Sequence, residues 1–293
     1  MTDHAPVRTR FAPSPNGALH LGHAYAALRA HDLARDLGGE FLLRIEDIDG
    51  VRSRPELVEA IFADLRWLGL AWDGDVLFQS SRLAAYDEAL EQLKAQGLVY
   101  PCFCTRSQIA AAGAQPGPDG LVYPGTCRSL SAAERERRMA NEPHCWRLDM
   151  TRGVAETGPL VWHDLEAGDQ PARPELFGDV VLARKDAPAS YHLAVTLDDA
   201  HQQISHVVRG CDLFDATHVH RLLQALLGLP TPHYLHHGLL AGPDGRKLAK
   251  SEGAAALAVL REAGEDGPAL VENLRKDRLP SGISRVHASY SLP

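Results

Sequence analysis

Apolar positions change their spacing several times within the first hundred residues of the chain. Residues 7–11 form a short run that stops before two prolines, which predicts a strand leading into a tight loop. Residues 19–37 carry apolar side chains at helical spacing and end at two glycines, which predicts a helix. Residues 40–45 (EFLLRI) predict a buried strand with Glu46 and Asp47 at its carboxyl end.

Two more helices are predicted before residue 100. Ser53 and Glu56 have the spacing of a capping box ahead of an apolar helical run, and a second helical pattern covers residues 82–96. Because strands and helices alternate in this order, we predict an α/β fold with a parallel sheet.

A different composition begins at Pro101 and lasts to about residue 175. This segment holds Cys102, Cys104 and Cys127 and a loop that is rich in glycine and proline. We predict that it is an insertion into the α/β domain.

Regular patterns return in the second half of the chain. Residues 191–197 and 204–209 have strand-like patterns, and residues 217–227 predict a helix. After Ser251 we expect one or two helices and then a polar, partly disordered tail over residues 280–293.

Composition limits the class of protein. The chain has 293 residues, of which 45% are hydrophobic and 23% charged, as is ordinary for a globular enzyme. No apolar run approaches the ~20 residues that span a bilayer, and the first residues do not form a signal peptide. Five cysteines without a regular framework indicate a reducing cytoplasm. The net charge of −8 argues weakly against nucleic-acid binding through bulk charge, but it is compatible with a local basic track.

The first candidate site is the turn FAPSPNGALHLGH at residues 11–23, between the first strand and the first helix. Open α/β sheets bind ligands at this place, and backbone N–H groups at a helix start attract phosphate. His20 and His23 share one helical face and can donate hydrogen bonds to a polyphosphate. Gly22 lets a base or ribose approach the backbone. The pattern favours a nucleotide site over a helix cap without a ligand.

The second candidate site is DGRKLAKS at residues 244–251, where three basic residues follow a turn signal. Taken alone, the segment is typical of a solvated basic loop. As a mobile loop, it could use Lys247 and Lys250 to neutralise charge on the α-phosphate and the departing pyrophosphate during adenylate formation.

Together, HLGH and KLAKS resemble the HIGH and KMSKS signatures of class I aminoacyl-tRNA synthetases. TRFAPSP (9–15), LRIEDID (43–49) and WLGLAWD (67–73) are similar to the catalytic domain of glutamyl-tRNA synthetases, over about residues 7–251. The resemblance implies a Rossmann-type catalytic domain that activates glutamate with ATP, with Mg²⁺ expected beside the nucleotide.

Two features point to one branch of that family. About forty residues follow Lys250, too few for the helical domain with which glutamyl-tRNA synthetases read the anticodon. The motifs CxC (102–104), YxxxC (123–127), YHLAV (191–195) and VRG (208–210) resemble glutamyl-Q tRNA(Asp) synthetases. This resemblance implies transfer of glutamate to the queuosine base in the anticodon of tRNA(Asp). The alternatives are a truncated glutamyl-tRNA synthetase that charges the tRNA 3′ end, a non-catalytic synthetase-like binding protein and a small nucleotidyltransferase.

A glutamate pocket needs cationic groups for the side-chain carboxylate and an anionic group for the ammonium. Arg10 and Arg209 suit the carboxylate because guanidinium groups bind carboxylates in a bidentate manner. Glu46 at a strand end suits the ammonium, and the hydroxyl of Tyr191 can complete the polar shell. The family resemblance covers these positions. Two further residues are predicted to line the pocket: Ala12 and Ser14.

The cysteines of the insertion form a candidate metal site. Three thiolates and one more ligand can complete a tetrahedral Zn²⁺ site, and a small insertion rich in glycine and proline gains stability from such an ion. Cys102, Cys104 and Cys127 supply the thiolates, unless they stay reduced and unliganded. The family resemblance supplies Tyr123 as the fourth ligand, and His144 is the alternative from the residues alone. We predict one structural zinc per chain.

Several other residues show no partner pattern and are interpreted as ordinary surface or core residues: His31, Cys211, His218, His220, His236 and His237.

The chain is divided into four predicted parts. The first half of the catalytic domain covers residues 1–100, the insertion 101–175, the second half 176–240, and the KMSKS-like loop with a short helical C-terminal part 241–293. ATP, L-glutamate and tRNA are the predicted partners. We expect a monomer that does not contact membranes.

Overall fold

The structure is a computed structural model that describes residues 6–50, 52–248 and 256–286. Its described ranges contain these α-helices: α1 (Leu21–Asp36), α2 (Pro55–Trp67), α3 (Leu83–Ala95), α4 (Arg106–Ala111), α5 (Ala132–Met139), α6 (Met150–Thr157), α7 (Tyr191–His201), α8 (Ala216–Leu227), α9 (Leu257–Glu262) and α10 (Gly267–Arg275). The strands are β1 (Arg8–Phe11), β2 (Glu40–Ile45), β3 (Leu77–Phe78), β4 (Val99–Cys102), β5 (Pro116–Gly117), β6 (Gly120–Leu121), β7 (Cys145–Leu148), β8 (Val161–Asp164), β9 (Gly168–Pro171), β10 (Val181–Ala183), β11 (His206–Gly210), β12 (His233–His237), β13 (Leu239–Ala241) and β14 (Ser284–Val286).

Parallel strands form the centre of the fold. β1 pairs with β2 and β2 with β3, and β11, β12 and β8 form a second parallel group with β9 antiparallel at its edge. The backbone N–H of Ser205 donates to the carbonyl oxygen of Arg8 at 3.0 Å, which joins the two groups beside β1. This arrangement confirms the predicted α/β fold with a parallel sheet.

The first helix packs on this sheet and confirms the prediction over residues 19–37. Leu21 and Leu28 of α1 are buried in one core cluster with Phe41 of β2. Burying each such side chain contributes about 1.5–3 kcal/mol. After the helix the chain passes so close to Val7 that a Cβ on Gly39 would lie 2.3 Å from the Val7 carbonyl oxygen, so only glycine fits there.

The cysteine-bearing segment is built on a separate antiparallel sheet. β4, β7 and β10 form this sheet, and the hairpin β5–β6 projects from the same region. Cys102, Phe103 and Cys127 of this segment belong to a small core cluster of their own. The boundaries of the four predicted parts of the chain stay a prediction.

Two local predictions are wrong. Residues 191–197 do not form a strand but begin α7, where the hydroxyl of Ser190 accepts a hydrogen bond from the backbone N–H of Leu193 at 3.4 Å. Ser53 does not cap α2, because the helix begins after Arg54 with a proline in its first turn and has no side-chain cap.

The predicted C-terminal helices are α9 and α10. Within the predicted polar tail, β14 pairs antiparallel with β13 and is therefore ordered, while residues 287–293 lie outside the described ranges. None of the helices described here is long and apolar enough to cross a membrane.

Candidate active site

A cavity of about 580 Å³ lies at the carboxyl ends of β1, β2 and β11. Parallel α/β sheets bind ligands at this edge. Ten predicted site residues line the cavity: Arg10, Ala12, Ser14, His20, Gly22, His23, Glu46, Tyr191, Arg209 and Lys247. Lys250 lies outside the described residues. Side chains from Arg10 to Lys247, far apart in the sequence, therefore meet at one opening.

The two histidines of HLGH cap the start of α1 in a reciprocal arrangement. Nδ1 of His20 accepts from the backbone N–H of Gly22 at 3.1 Å, and Nδ1 of His23 accepts from the backbone N–H of His20 at 3.1 Å. In a neutral imidazole whose Nδ1 accepts, the proton is on Nε2. Both rings thus carry an Nε2–H donor, and both line the cavity at the helix N-terminus, where an anion is favoured.

The described residues on either side of residues 249–255 lie beside these histidines. Lys247 forms a bridge with Ala241 of β13 and makes an ion pair with Asp212 at the cavity. On the far side of residues 249–255, Ala256 forms a bridge with His20. The described chain on both sides of residues 249–255 is therefore anchored at the predicted nucleotide side of the cavity.

Arg209, near the end of β11, is 6% exposed and is held by groups without negative charge. Its Nε donates to Nε2 of His236 at 3.1 Å, and its Nη2 donates to the Thr217 hydroxyl at 2.6 Å. Its Nη1 donates to Nδ1 of His220 at 3.2 Å and to the Tyr191 hydroxyl at 3.4 Å. Among the described residues, no carboxylate forms an ion pair with this guanidinium.

The two imidazoles beside Arg209 are neutral. Burial lowers the pKa of His236 to about 4, against the opposing effect of a hydrogen bond to Asp164, and the charge of Arg209 lowers it further. Burial, Arg209 and His192 also hold the pKa of His220 well below its ordinary value. Neither imidazole therefore adds a charge beside the Arg209 guanidinium at the wall of the cavity.

Arg10 has a different environment at the same cavity. Its Nε and Nη2 donate to the carboxylate of Asp199 at 2.9 and 3.3 Å, and its Nη1 donates to the carbonyl of Val208 at 3.2 Å. Asp199 also accepts from Nη1 of the fully buried Arg44 at 2.7 Å. These contacts account for the buried charges of two arginines from within the chain.

Glu46 lies next to this ion-pair cluster. Its carboxylate is 3.6 Å from Nη2 of Arg44, and its backbone N–H donates to the carbonyl of Pro13 at 3.1 Å. Burial raises the pKa of Glu46, while Arg44 and Arg10 oppose that rise. An ammonium group at this position would find a carboxylate that is desolvated on the protein side.

The predicted metal ligands also lie together, away from the cavity. The thiols of Cys102, Cys104 and Cys127 lie within 4.8 Å of one another, and the sulfurs of Cys104 and Cys127 are 3.6 Å apart. The Tyr123 hydroxyl lies 3.4 Å from the Cys104 sulfur. Nδ1 of His144 is instead 3.3 Å from the carbonyl of Glu142. A tetrahedral zinc bound at ~2.3 Å holds two sulfurs about 3.8 Å apart, so these thiols fit such an ion.

Comparison with known proteins agrees with this arrangement. The family model for the catalytic domain of class I tRNA synthetases (E and Q) matches residues 6–281. The chain belongs to this family. A curated protein from Rhodobacter capsulatus named glutamyl-Q tRNA(Asp) synthetase is 50% identical over 271 residues, which cover 87% of this chain and 95% of that protein. One of the same name from Symbiobacterium thermophilum is 46% identical and covers 90% and 84%.

Solved structures of glutamate–tRNA ligases have the same fold. The crystal structure of such a ligase from Elizabethkingia meningosepticum in complex with its amino acid matches with a TM-score of 0.71 and 31% identity, over 85% of this chain and 52% of that one. The chain thus spans about half the length of that ligase. By its family the protein is an enzyme, a ligase of the class I synthetase type.

Part of the environment of the two cavity arginines in this synthetase was not expected from the sequence. His220 and His236 were interpreted as ordinary residues, but both accept hydrogen bonds from Arg209. Asp199 lies beyond the segment that was interpreted as a strand, and so its position beneath Arg10 was not expected. A helical reading of α7 would have placed Asp199 two turns after Tyr191, on the same side of the helix. Cys211 is buried, as predicted for a core residue.

Proposed function

We propose that this enzyme activates L-glutamate with ATP and transfers the glutamyl group to the queuosine base in the anticodon of tRNA(Asp). The proposed binding of glutamate rests on the environment of Arg209. This buried cation lines the cavity and contacts only neutral acceptors among the described residues. A buried charge is costly unless it is paired. A substrate carboxylate is the partner that this site fits.

In this proposal Arg209 and the Tyr191 hydroxyl bind the side-chain carboxylate of glutamate. Arg10 adds positive charge at the same wall, because Asp199 and Val208 engage three of its five N–H groups and leave two for a ligand. Glu46 binds the ammonium. Two residues line the remaining wall: Ala12 and Ser14.

The nucleotide side uses the start of α1. The Nε2–H groups of His20 and His23 donate to the phosphates of ATP, and Gly22 allows the ribose or base to approach the backbone. Lys247 and Lys250 neutralise charge on the α-phosphate and pyrophosphate. The bound Mg²⁺ that we expect would supply further charge neutralisation at the phosphates.

Two steps follow from this arrangement. The α-carboxylate of glutamate attacks the α-phosphorus of ATP, the bond to the β-phosphate breaks, and pyrophosphate leaves. A hydroxyl of the acceptor then attacks the carbonyl carbon of the mixed anhydride and gives up its proton, an ester forms, and AMP leaves with the electron pair of the broken C–O bond. Neither step needs a covalent enzyme intermediate, so positioning and charge neutralisation account for most of the rate.

The acceptor is proposed from the names of relatives, two of which are called glutamyl-Q tRNA(Asp) synthetase and are matched over 84% and 95% of their lengths. The test offers labelled glutamate to tRNA(Asp) with and without queuosine, each also prepared without its 3′-terminal adenosine. We expect label only on queuosine-containing tRNA, whether or not the terminal adenosine is present.

The second candidate function is charging of the tRNA 3′ end, which the 31% identity to glutamate–tRNA ligase favours. In that case label would require the terminal adenosine and ignore queuosine. A non-catalytic synthetase-like protein would give no label on any tRNA and no adenylate.

We also propose one structural zinc held by Cys102, Cys104, Tyr123 and Cys127. The short distances among the thiols and the Tyr123 hydroxyl support this set, and the contact of His144 with the carbonyl of Glu142 favours Tyr123 as the fourth ligand. The ion would stabilise the insertion. The monomeric state and the cytoplasmic location stay predictions.

A further inference from the structure

The insertion reaches the glutamate side of the cavity through a row of polar side chains that contact one another. The hairpin β5–β6 turns at Asp119, whose carboxylate lies 3.7 Å from Nε2 of His192 on α7. Nδ1 of His192 lies 3.1 Å from Nε2 of His220, and Nδ1 of His220 lies 3.2 Å from Nη1 of Arg209. His192 and His220 are both buried, whereas the side chain of Asp119 is 77% exposed.

The Arg209 guanidinium determines which ring nitrogen of His220 and of His192 carries the proton. A guanidinium only donates, so Nδ1 of His220 must accept and its proton is on Nε2. That Nε2–H must then donate to Nδ1 of His192, which places the His192 proton on Nε2, facing Asp119. At 3.7 Å this last contact is electrostatic and not a hydrogen bond, yet a carboxylate still favours a proton on the nearer nitrogen.

Arg209 is therefore held from two sides, and each of these two supports consists of neutral histidine that leads to a carboxylate. On one side Nε2 of His236 accepts from Arg209, and Nδ1 of His236 donates at 2.7 Å to Asp164, which is fully buried. On the other side the row through His220 ends at Asp119 on an exposed hairpin. The first support belongs to the core of the fold, and the second depends on where the insertion lies.

We propose that Asp119 is a positioning residue for glutamate binding, which acts through His192 and His220 on the orientation of Arg209. Without the carboxylate, His192 can move its proton to Nδ1. The Nε2–H of His220 then loses its acceptor, and a proton on Nδ1 of His220 would face the Arg209 donor. The insertion thus completes the glutamate side of the cavity without touching glutamate. This inference rests on the proposed function.

The test measures glutamate-dependent ATP–pyrophosphate exchange in Asp119→Asn, Asp119→Ala and Asp119→Glu. We expect the asparagine and alanine variants to raise KM for glutamate about three- to ten-fold, with KM for ATP and kcat at saturating glutamate changed by less than about two-fold. Asp119→Glu keeps the carboxylate, so its KM for glutamate should be closer to that of the parent enzyme. Asp169→Asn is the matched control, since Asp169 pairs with exposed His163 at 2.7 Å and neither residue lines the cavity.

Nitrogen NMR of histidine-labelled protein gives a second readout. We expect Nε2–H forms for His192 and His220 and an Nδ1–H form for His236, and only the first two should change in Asp119→Asn. An unchanged KM for glutamate, or equal rises in both KM values with a lower unfolding temperature, would overturn the proposal. Absence of exchange in the parent enzyme would instead contradict the proposed function. The NMR spectra would then still show whether Asp119 sets the tautomers of His192 and His220.

Discussion

The two arginines on the glutamate side of the cavity differ in how the chain balances their charge. Arg10 shares the carboxylate of Asp199 with Arg44, in a cluster that is almost closed to solvent. Arg209 is as deeply buried, but two neutral histidines and two hydroxyls accept its hydrogen bonds. Both line the same space.

The difference separates an arginine that already has a carboxylate partner within the chain from one that has only neutral acceptors. A buried charge that is paired within the chain stabilises the fold only if both partners stay in place. A buried charge held by neutral acceptors is oriented but still favours an anion. The cysteine cluster is the opposite case, since three thiols lie together and would gain from a cation. Changes at the Asp199 cluster should therefore affect stability, changes at Arg209 should affect glutamate activation, and changes at the cysteine cluster should affect metal content.

The largest effect is expected for the paired cluster. Asp199→Asn leaves Arg10 and Arg44 buried without their shared carboxylate and should lower the free energy of unfolding by about 3–5 kcal/mol. Urea unfolding followed by circular dichroism measures this loss. Asp169→Asn, at an exposed pair, serves as the control and should change stability by less than about 0.5 kcal/mol. Equal losses in both variants would contradict the assignment of Asp199 to a buried structural pair.

The next effect concerns activity and not stability. Arg209→Ala should lower kcat/KM for glutamate, because the substrate carboxylate loses its charged partner. The expected loss corresponds to a rise of about 2–5 kcal/mol in activation free energy. ATP binding should be unchanged, and the loss of stability should be smaller than in Asp199→Asn. Arg221→Ala removes a guanidinium that donates to the carbonyl of Val161 on the surface, and it should behave as the parent enzyme. Normal glutamate activation by Arg209→Ala would refute the proposed pocket.

The cysteine cluster tests the same comparison with the opposite charge. Freshly purified enzyme should contain about one zinc per chain, and the double variant Cys102→Ser, Cys104→Ser should contain none. Glutamate activation should largely persist in that variant, because the thiols lie away from the cavity. Cys211→Ser, at a buried cysteine outside the cluster, should keep its zinc. Zinc missing from the parent, or kept in the double variant, would exclude the site.

An effect of pH on stability is also expected, through buried histidines that include His236 beside Arg209. Burial is the main cause that lowers the pKa of His236 to about 4, and burial does the same for His218 and His237. In the unfolded chain these groups titrate near the ordinary value of 6.5, so between pH 6.5 and 4 only the unfolded chain takes up their protons. The free energy of unfolding should therefore fall by about 1 kcal/mol per pH unit for each histidine as the pH drops below about 6.

Unfolding midpoints at pH 7.5, 6.0 and 5.0 measure this slope. His218→Gln should make the slope shallower, whereas His163→Gln, at an exposed histidine, should leave it as it is. A slope of the opposite sign would mean that these histidines are protonated in the folded enzyme, which would place positive charge beside Arg209.

Much of the fold and the site could be predicted because local patterns carried the information. The turn before α1, the strand over residues 40–45 and the HLGH and KLAKS motifs all have local sequence signals, and the cavity brings their described side chains together. The strand predicted over residues 191–197 was wrong because these residues belong to α7, which is buried on most sides. A short continuous apolar run has no period that distinguishes a buried helix from a buried strand.

The partners of the arginines could not be predicted for a different reason. Asp199, His220 and His236 follow no motif, and their roles depend on which strands and helices meet beside β11. A single buried polar residue resembles many others in a sequence. Only the tertiary contacts show that Asp199 pairs with two arginines and that His236 accepts from Arg209 without a charge of its own.

The central claim is that the cavity activates glutamate by itself, and ATP–pyrophosphate exchange without tRNA tests it most directly. With ATP, Mg²⁺ and L-glutamate, the parent enzyme should exchange labelled pyrophosphate into ATP. Aspartate, one methylene shorter, should support at least about ten-fold less exchange, because its carboxylate does not reach Arg209 in the same geometry. Exchange that appears only when tRNA is added, or that proceeds equally with aspartate, would contradict the account.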